Sequence, residues 1–473
     1  MIEQSIPNHT EVAIIKSTTP EEATIEGIKS LGGISKFINK DEQIFIKINL
    51  RLPNGFPTHT NFDLIKSVVN LCKEGGVKKI YIGSFPLKGI TTQSFSELMG
   101  VQEYFESIGA HLAYLDDYSN YPYQIVSVQD KEFKVPQVIL NSDKLILINQ
   151  INVDPLFKLT LSPLNSYSIV SDKYRKIVKI LREGKDYLFL DQYKKDLVSN
   201  IIDVFSIKKP CFSINDFYFT LEGAGPYIYK DSNLVKTNLI AMGKDAIAVD
   251  YITLKLMNLD PMKNELIIEA REKKLGITDL SKITTVGEKL DKFILDIKLC
   301  VSKLENINVQ NTSIKRGQFC SGCFKQAYHL LNLMKTNMIK DLKYIRKQSF
   351  LIGEKPQEPE YLENIILFGD CAINSTKDRS FRKIVIKKKK SFLDDAKEKL
   401  KKDKKPVLKK NKQKKNKQIL ELPGCPPDLN ECINYLTNYY RKTDLPNLNF
   451  YKNIIETFRT EEKSETLSKE GVL

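Results

Sequence analysis

Short apolar segments alternate with amphipathic segments over most of the 473-residue chain, and this alternation restricts the folds that it can adopt. Strand-like runs at 11–16 and 43–50 are each followed by a segment with helical periodicity. The amphipathic segment at 61–74 ends at Gly75, a typical helix C-cap residue. Strand–helix alternation of this kind predicts an α/β fold, with a mainly parallel sheet that helices cover on both faces.

The length of the chain and a change of pattern near residue 300 predict two domains. We expect an α/β domain with a mainly parallel sheet at 10–300, and then a polar linker at 300–315. A smaller, cysteine-rich α/β domain is expected at 315–445, with a lysine-rich insertion at 382–418. The polar tail at 459–473 is expected to be flexible.

Four of the eight cysteines are the strongest functional signal in the sequence. Cys320 and Cys323 form a Cys-Ser-Gly-Cys motif, whereas Cys371 and Cys425 each follow an apolar strand and a glycine. Because the carboxyl ends of parallel strands meet at one edge of a sheet, we expect the four thiols to converge. Four thiolates suit either an iron–sulfur cluster or a tetrahedral zinc ion. One close pair and two single cysteines favour the cluster, since structural zinc sites more often use two close pairs.

The cysteine motifs resemble the cluster-binding pattern of the nickel–iron hydrogenase small subunit. The matching elements, within 315–440, are Cys-Ser-Gly-Cys, Gly-Asp-Cys-Ala and Pro-Gly-Cys-Pro-Pro. The Gly-Cys-Pro-Pro element is also similar to that of the respiratory complex I subunit that carries the terminal cluster. This resemblance implies a 4Fe-4S cluster held by the four cysteines, although the lysine-rich insertion is not part of the pattern.

The first predicted domain, over residues 10–290, resembles the family called domain of unknown function 362. The stretches that carry the resemblance lie at 30–38, 44–50, 75–83, 221–226 and 243–250. Members of that family often carry iron–sulfur motifs, so this resemblance also implies a cluster. The chain departs from the family at Phe-Lys-Leu-Thr-Leu, where members usually have a Lys-Thr-His element.

Polar side chains at the ends of predicted strands indicate a ligand site in the first domain. A lysine inside an apolar strand must reach solvent or meet a carboxylate. The candidate residues for binding an anionic substrate are Lys47, Asn49, Arg51 and Lys158. The candidate catalytic residues are His59, Asp216 and Asp250. An internal ion pair that stabilises the domain explains the charged residues equally well, and a lone loop histidine is more often structural.

The net charge of +15 comes almost entirely from one segment of the chain. Residues 382–418 contain 18 Lys or Arg and 4 Asp or Glu residues. Nucleic acid is a possible partner of this segment. It is not favoured, because a single aromatic residue, Phe392, offers little of the stacking that single-strand binders use.

Together these features predict an iron–sulfur redox protein that transfers electrons or acts as an oxidoreductase. The predicted cofactor is a 4Fe-4S cluster, and the predicted partner is a small anionic substrate or another redox protein. The alternative is a zinc-stabilised, non-catalytic module that uses the lysine-rich segment to bind nucleic acid or an acidic protein. We expect no signal peptide and no membrane span, and therefore a cytoplasmic protein.

Overall fold

The structure is a computed structural model that describes residues 8–51, 55–86, 90–171, 191–338, 341–343, 345–383 and 418–440. The described chain forms two compact units, one of residues up to 302 and the other starting at 303. Each unit is built around its own β-sheet.

The first unit contains an eight-stranded sheet. In spatial order its strands are β14 (Ile283–Gly287), β1 (Thr10–Lys16), β13 (Leu239–Gly243), β10 (Phe212–Asp216), β7 (Lys144–Gln150), β2 (Gln43–Lys47), β3 (Lys79–Gly83) and β4 (His111–Leu112). All neighbouring strands are parallel except for β13, which runs antiparallel to both β1 and β10. The expected α/β fold with a mainly parallel sheet is therefore confirmed.

Three two-stranded ribbons accompany this sheet. They pair β5 (Tyr123–Val128) with β6 (Lys131–Pro136), β8 (Val153–Asp154) with β9 (Lys158–Leu159), and β11 (Phe219–Glu222) with β12 (Asn233–Lys236). The β8–β9 and β11–β12 ribbons follow β7 and β10 along the chain, so they extend from the carboxyl ends of these two strands.

Helices connect the strands of the first unit. They are α1 (Pro20–Ser30), α2 (Phe62–Glu74), α3 (Thr92–Met99), α4 (Val101–Ser107), α5 (Gln137–Leu140), α6 (Ser162–Ser166), α7 (Gln192–Ile207), α8 (Ala246–Leu256) and α9 (Glu265–Glu272). The start of α2 shows the local chemistry, because the side chain of Asn61 accepts a hydrogen bond from the backbone N–H of Asp63. α1 packs against α2. Strand residues such as Phe45 and Ile46, whose side chains point to opposite faces, are both fully buried, as expected for a sheet covered on both sides.

The second unit contains a four-stranded sheet in which every pair of neighbours is parallel. Its strands, in spatial order, are β15 (Thr312–Arg316), β16 (Gln348–Ile352), β17 (Asn364–Phe368) and β18 (Gln418–Leu422). Its helices are α10 (Ser321–Asn337), α11 (Gly369–Ser375), α12 (Ser380–Lys383) and α13 (Leu429–Tyr439). A small core of Leu351, Ile365, Leu367 and Phe381 packs against one face of the sheet.

One sequence-based expectation about the chain between the units is wrong. Residues 300–315 were expected to form a polar linker, yet most of strand β15 lies within this range. Leu304 and Ile307, which precede the strand, are buried. β15 is an edge strand with partly exposed polar residues on both faces, so it lacks the apolar run that identifies the other three strands.

Two further expectations concern parts of the chain outside the described residues. In the lysine-rich insertion at 382–418, only its two first residues and its last residue are described. The tail at 459–473, expected to be flexible, lies entirely outside the described ranges.

Candidate functional site

The four predicted ligand cysteines all follow carboxyl ends of strands in the second sheet. Cys320 comes four residues after β15 and is the N-cap residue of α10, whose first turn contains Cys323. Cys371 lies in the first turn of α11, directly after β17, and Cys425 follows β18. Since these strands are parallel, all four cysteines lie at the same edge of the sheet.

Backbone and side-chain hydrogen bonds join the loops that carry Cys371 and Cys425. The N–H of Asp370 donates to the carbonyl oxygen of Gly424 over 3.1 Å. In return, the N–H of Gly424 donates to Oδ1 of Asp370 over 2.8 Å. Asp370 and Gly424 each directly precede a cysteine, so these two hydrogen bonds fix the relative position of Cys371 and Cys425.

Gly369 marks the point where the three cysteine segments meet. It has φ of +85°, a backbone conformation that side chains with a Cβ disfavour. A Cβ atom at this position would lie 3.4 Å from Sγ of Cys323 and 3.6 Å from the carbonyl oxygen of Gly424. The absence of a side chain at residue 369 therefore leaves room beside the Cys323 sulfur.

The sulfur atoms are close enough to affect each other electrostatically. The pKa of Cys323 is raised well above its ordinary value, first by a hydrogen bond with Cys320, then by burial and by the neighbouring Cys371 and Cys425. Cys323 is 2% exposed, whereas the other three are partly exposed. Cys320, Cys371 and Cys425 are thus near enough to influence the Cys323 thiol, whereas a shared metal site for the four cysteines stays a prediction.

The donor set fits a group bound by four thiolates. Cysteine thiolates are the ligands of iron–sulfur clusters and of many structural zinc ions, and a bound metal removes the thiol proton. No group of three or more His, Cys, Asp or Glu side chains in the described ranges is arranged to hold a single metal ion.

Cys432 lies in α13. Burial raises the pKa of its thiol to about 12, and the nearby carboxylates of Asp428 and Glu431 add to this effect.

Lys47 begins a second polar site, at the carboxyl end of β2 in the first unit. Its side chain is fully buried, and Nζ donates to the carbonyl oxygen of Ile48, Oγ of Ser84 and Oδ1 of Asn165 over 2.8–2.9 Å. A buried ammonium group is unfavourable unless acceptors surround it, and these three oxygens meet that need. The lysine that the sequence placed inside an apolar strand is thus anchored within the domain.

A continuous series of hydrogen bonds leads from Lys47 to Asp250. Nδ2 of Asn165 donates to Oδ1 of Asn149 over 2.8 Å. Nδ2 of Asn149 donates to Oδ1 of Asn215, and Nδ2 of Asn215 donates to Oδ1 of Asp250, each over 2.8 Å. These residues come from β2, β7, β10, α6 and α8, and all are buried. We call them, together with Ser162, the buried network.

Asp250 ends this series as an acceptor. It receives hydrogen bonds from the N–H and the Oγ–H of Ser162 as well as from Asn215. Burial raises the pKa of Asp250 to about 7, although the bonds from Asn215 and Ser162 act in the opposite direction. Its carboxyl group can therefore hold or release a proton near neutral pH.

Asp216, the second candidate acid, lies on the opposite face of the sheet. Its Oδ1 accepts the N–H of Tyr218, whereas its buried Oδ2 and the Oε1 of its strand neighbour Gln150 lack hydrogen-bond partners. Burial raises the pKa of Asp216 to about 7, against the bond from Tyr218. When Asp216 is protonated, the O–H of its carboxyl group can donate a hydrogen bond inside the protein.

The remaining candidates for substrate binding lie beyond β2 and β7: Asn49 and Arg51 in the loop after β2, and Lys158 at the start of β9. Oδ1 of Asn49 accepts the N–H of Gln150 over 2.8 Å, which joins the loop after β2 to the end of β7. Burial lowers the pKa of Arg51, and Tyr227 and Asp154 oppose this effect, so these two groups lie near the guanidinium. Lys158 is exposed and is the β-ladder partner of Asp154. Arg51 and Lys158 therefore share Asp154 as a neighbour, separate from the buried network that contains Lys47.

His59 is part of an aromatic cluster. Its ring stacks on Phe62 with a centroid distance of 4.8 Å, and its Nδ1 lies 3.0 Å from the carbonyl oxygen of Thr60. Burial lowers the pKa of His59, although the contact with Thr60 acts the other way. The lowered pKa favours the neutral imidazole, which suits a packing role or a proton acceptor.

The sequence reasoning missed the neutral members of the buried network, chiefly Asn149, Asn165, Asn215 and Ser162. Amide and hydroxyl side chains carry no charge that would require a partner, so their burial is not evident from the sequence. One signal was present in the run Asn-Gln-Ile-Asn-Val-Asp, which places four polar residues directly after the apolar part of β7.

The buried network, and the group formed by Arg51, Lys158 and Asp154, both lie where ligand sites occur in open α/β sheets. From β2 the chain continues to β3 and β4 on one side, whereas β7 and β10 lie on the other. The order of strands therefore reverses between β2 and β7, and ligands commonly bind beyond the carboxyl ends of strands at such a point.

The comparisons with known proteins identify a family for part of the first unit. Residues 44–255 match the model of a family described as "Domain of unknown function (DUF362)". The family predicted from the sequence is thus confirmed, whereas the hydrogenase-like cysteine pattern stays a prediction. No curated protein matches the chain.

A similar solved structure is the crystal structure of a protein from Thermotoga maritima, determined by the Northeast Structural Genomics Consortium. It has 11% sequence identity and a TM-score of 0.27, and the alignment covers 49% of this chain and 57% of that one. The chain thus spans little more than half of that structure.

None of the helices in the described ranges is long and apolar enough to cross a membrane.

Proposed function

Residues 44–255 form a DUF362 domain, and we propose that this domain acts in a redox protein whose second unit binds a 4Fe-4S cluster. The cluster would be held by Cys320, Cys323, Cys371 and Cys425. When bound, such a cluster accepts and donates single electrons. The observation that supports the proposal is the position of four cysteines at one sheet edge, with Cys320, Cys371 and Cys425 each contributing to the raised pKa of Cys323.

The surroundings of the thiols also support an anionic metal cluster. Cys320 and Cys323 lie at the start of the 17-residue helix α10, where the partial positive charge of the helix dipole stabilises negative charge. Gly369 leaves space next to Cys323, and the Asp370–Gly424 bonds hold the other two cysteine loops in place. Second-sphere bonds of this kind orient ligands and influence the potential of a cluster.

The redox partner would be a small anionic substrate or another redox protein. For a substrate, the first unit offers Arg51 and Lys158 near Asp154, with Asn49 fixing the loop that carries Arg51. Lys47 would position this loop from the buried network. Asp250 and Asp216 could hold protons near pH 7, and His59 could accept one. A cytoplasmic setting, where thiols stay reduced, is part of this proposal.

Single substitutions of the cysteines test the ligand set. We expect Cys371→Ser and Cys425→Ser to lose most of the bound iron and of the absorbance near 400 nm after anaerobic purification. Cys432→Ala is the matched control, because Cys432 is a buried cysteine of the same unit that is not proposed as a ligand. Far-UV circular dichroism would check that each variant is folded.

The result that contradicts the ligand set is equal iron content in the Cys371 variant and the Cys432 variant. Stoichiometric zinc in the wild-type protein, lost in the same variants, would instead support the zinc-stabilised module. In that case retention on immobilised nucleic acid at increasing salt would test the role of the lysine-rich segment.

A further inference from the structure

A cleft lies at the edge of the large sheet opposite to Arg51 and Lys158. Its volume is about 510 Å³, and it opens where β1 begins, β13 ends and β10 begins. Small-molecule sites typically enclose about 300–1,000 Å³, so this cleft is large enough for a ligand. We call it the basic cleft, because its charged lining is dominated by lysines: Lys36, Lys209, Lys244 and Lys274.

The four lysines come from four separate segments of the first unit. Lys36 precedes β2, Lys209 precedes β10, Lys244 follows β13, and Lys274 follows α9. All four are exposed at the cleft. Positive groups that reach one cleft from separate parts of the chain keep their mutual repulsion unless an anion binds between them.

The acidic residues of the lining offset only part of this charge. Oδ1 of Asp245 accepts the N–H groups of Ile247 and Ala248, and its Oδ2 accepts the N–H of Ile277. Asp245 is therefore committed to capping α8. Glu11 is the other acidic residue of the lining, and four lysines exceed these two carboxylates.

The loop that carries Lys274 is tightly held by its backbone. Lys274 has φ of +54°, in the left-handed region that glycine and asparagine usually occupy after a helix. Next to it, a Cβ on Gly276 would lie 2.4 Å from Oδ1 of Asp245, so this loop is held tightly against the start of α8. The backbone from which the exposed Lys274 side chain extends is thus held at the cleft.

The remaining lining includes apolar side chains. Leu31, Phe37 and Phe205 are mostly buried and contribute an apolar floor. Cationic groups above an apolar floor suit a ligand that combines phosphate groups with a flat organic part, because lysine binds phosphate as a point charge. We propose that the basic cleft binds a small phosphorylated organic anion.

This proposal is independent of the cluster and of the proposed substrate group. The basic cleft lies at the amino-terminal edge of the parallel strands, whereas Lys47 and Arg51 lie at and beyond the carboxyl end of β2. Loss of the iron–sulfur cluster would not remove any lining residue of the cleft. The two proposals can therefore fail separately.

Isothermal titration of the full-length protein with ADP, in low-salt buffer, tests the proposal. We expect saturable binding with a Kd below about 1 mM that weakens as salt is added. The double variant Lys244→Gln/Lys274→Gln should bind at least about tenfold more weakly, since it loses two charge-assisted contacts. Lys66→Gln/Lys195→Gln removes the same charge from exposed helix positions and should bind ADP like the wild type.

Two further measurements make the outcome decisive. Should the first double variant fail to fold, Lys36→Gln/Lys209→Gln replaces it, with the same expected loss. Pyrophosphate should bind more weakly than ADP if the apolar floor contacts the organic part. The proposal is overturned by absence of saturable ADP binding, by equal weakening in the Lys66/Lys195 control, or by equal affinities for ADP and pyrophosphate.

Discussion

The substitution Asp250→Asn should remove one component of the pH dependence of stability. Burial raises the pKa of Asp250 to about 7 in the folded protein, compared with 3.8 ordinarily. Between these values the folded state keeps a proton that the unfolded state has lost. The free energy of unfolding therefore falls as the pH rises from about 4 to 7, and the stabilisation is complete only below the unfolded pKa.

The magnitude follows from the difference between the two pKa values. One pH unit corresponds to about 1.4 kcal/mol, so the full effect is about 4 kcal/mol, of which roughly 2–3 kcal/mol falls between pH 5 and 8. Asparagine does not titrate, so this component disappears in the variant. It also places an N–H₂ group against the N–H of Ser162, which costs about 1–3 kcal/mol at every pH.

Urea unfolding followed by far-UV circular dichroism at pH 5, 6, 7 and 8 measures this effect. The stability difference between wild type and Asp250→Asn should shrink by roughly 2–3 kcal/mol from pH 5 to pH 8. Asp130→Asn, in the exposed turn between β5 and β6, is the control and should show a constant difference. A difference for Asp250→Asn that is independent of pH would show that Asp250 does not keep a proton in the folded state between pH 5 and pH 7.

Two further substitutions test the two sites separately. Lys47→Met should lower the free energy of unfolding by about 3 kcal/mol, because Ile48, Ser84 and Asn165 each lose a hydrogen-bond donor. Urea unfolding measures this loss of stability. An unchanged unfolding midpoint would contradict the structure. Gly369→Ala should cost about 1–2 kcal/mol and reduce bound iron, because its φ is +85° and Cys323 Sγ lies 3.4 Å from the new Cβ. Gly33→Ala has a similar φ of +90° and only one atom near the new Cβ, at 4.0 Å, so it should cost similar stability without loss of iron. Equal iron loss in both glycine variants would contradict a specific role of Gly369.

Much of the fold follows from the local pattern of the sequence. The apolar runs that became β2, β7 and β17 are buried on both faces, and only a parallel or central strand has that pattern. The convergence of the cysteines followed from the same logic, since each follows a parallel strand. The antiparallel direction of β13 could not be predicted, because an apolar run reads the same in either direction.

The polar site of the first unit shows where sequence reasoning ends. Lys47 was identified because a charge inside an apolar strand was expected to reach solvent or meet a carboxylate, whereas the structure buries it and gives it hydrogen bonds to three neutral oxygens. The partners themselves, such as Asn165, lie far along the chain, and their selection depends on tertiary packing. The sequence likewise grouped Lys47 with Lys158, but the first is buried and the second exposed.

We propose that the four cysteines hold an iron–sulfur cluster. The most direct test of this proposal is the iron, acid-labile sulfide and zinc content of anaerobically purified protein, with visible spectra before and after dithionite. A 4Fe-4S cluster predicts about four iron and about four sulfide per chain and a broad band near 400 nm that bleaches on reduction. One equivalent of zinc, no sulfide and no visible band would contradict it.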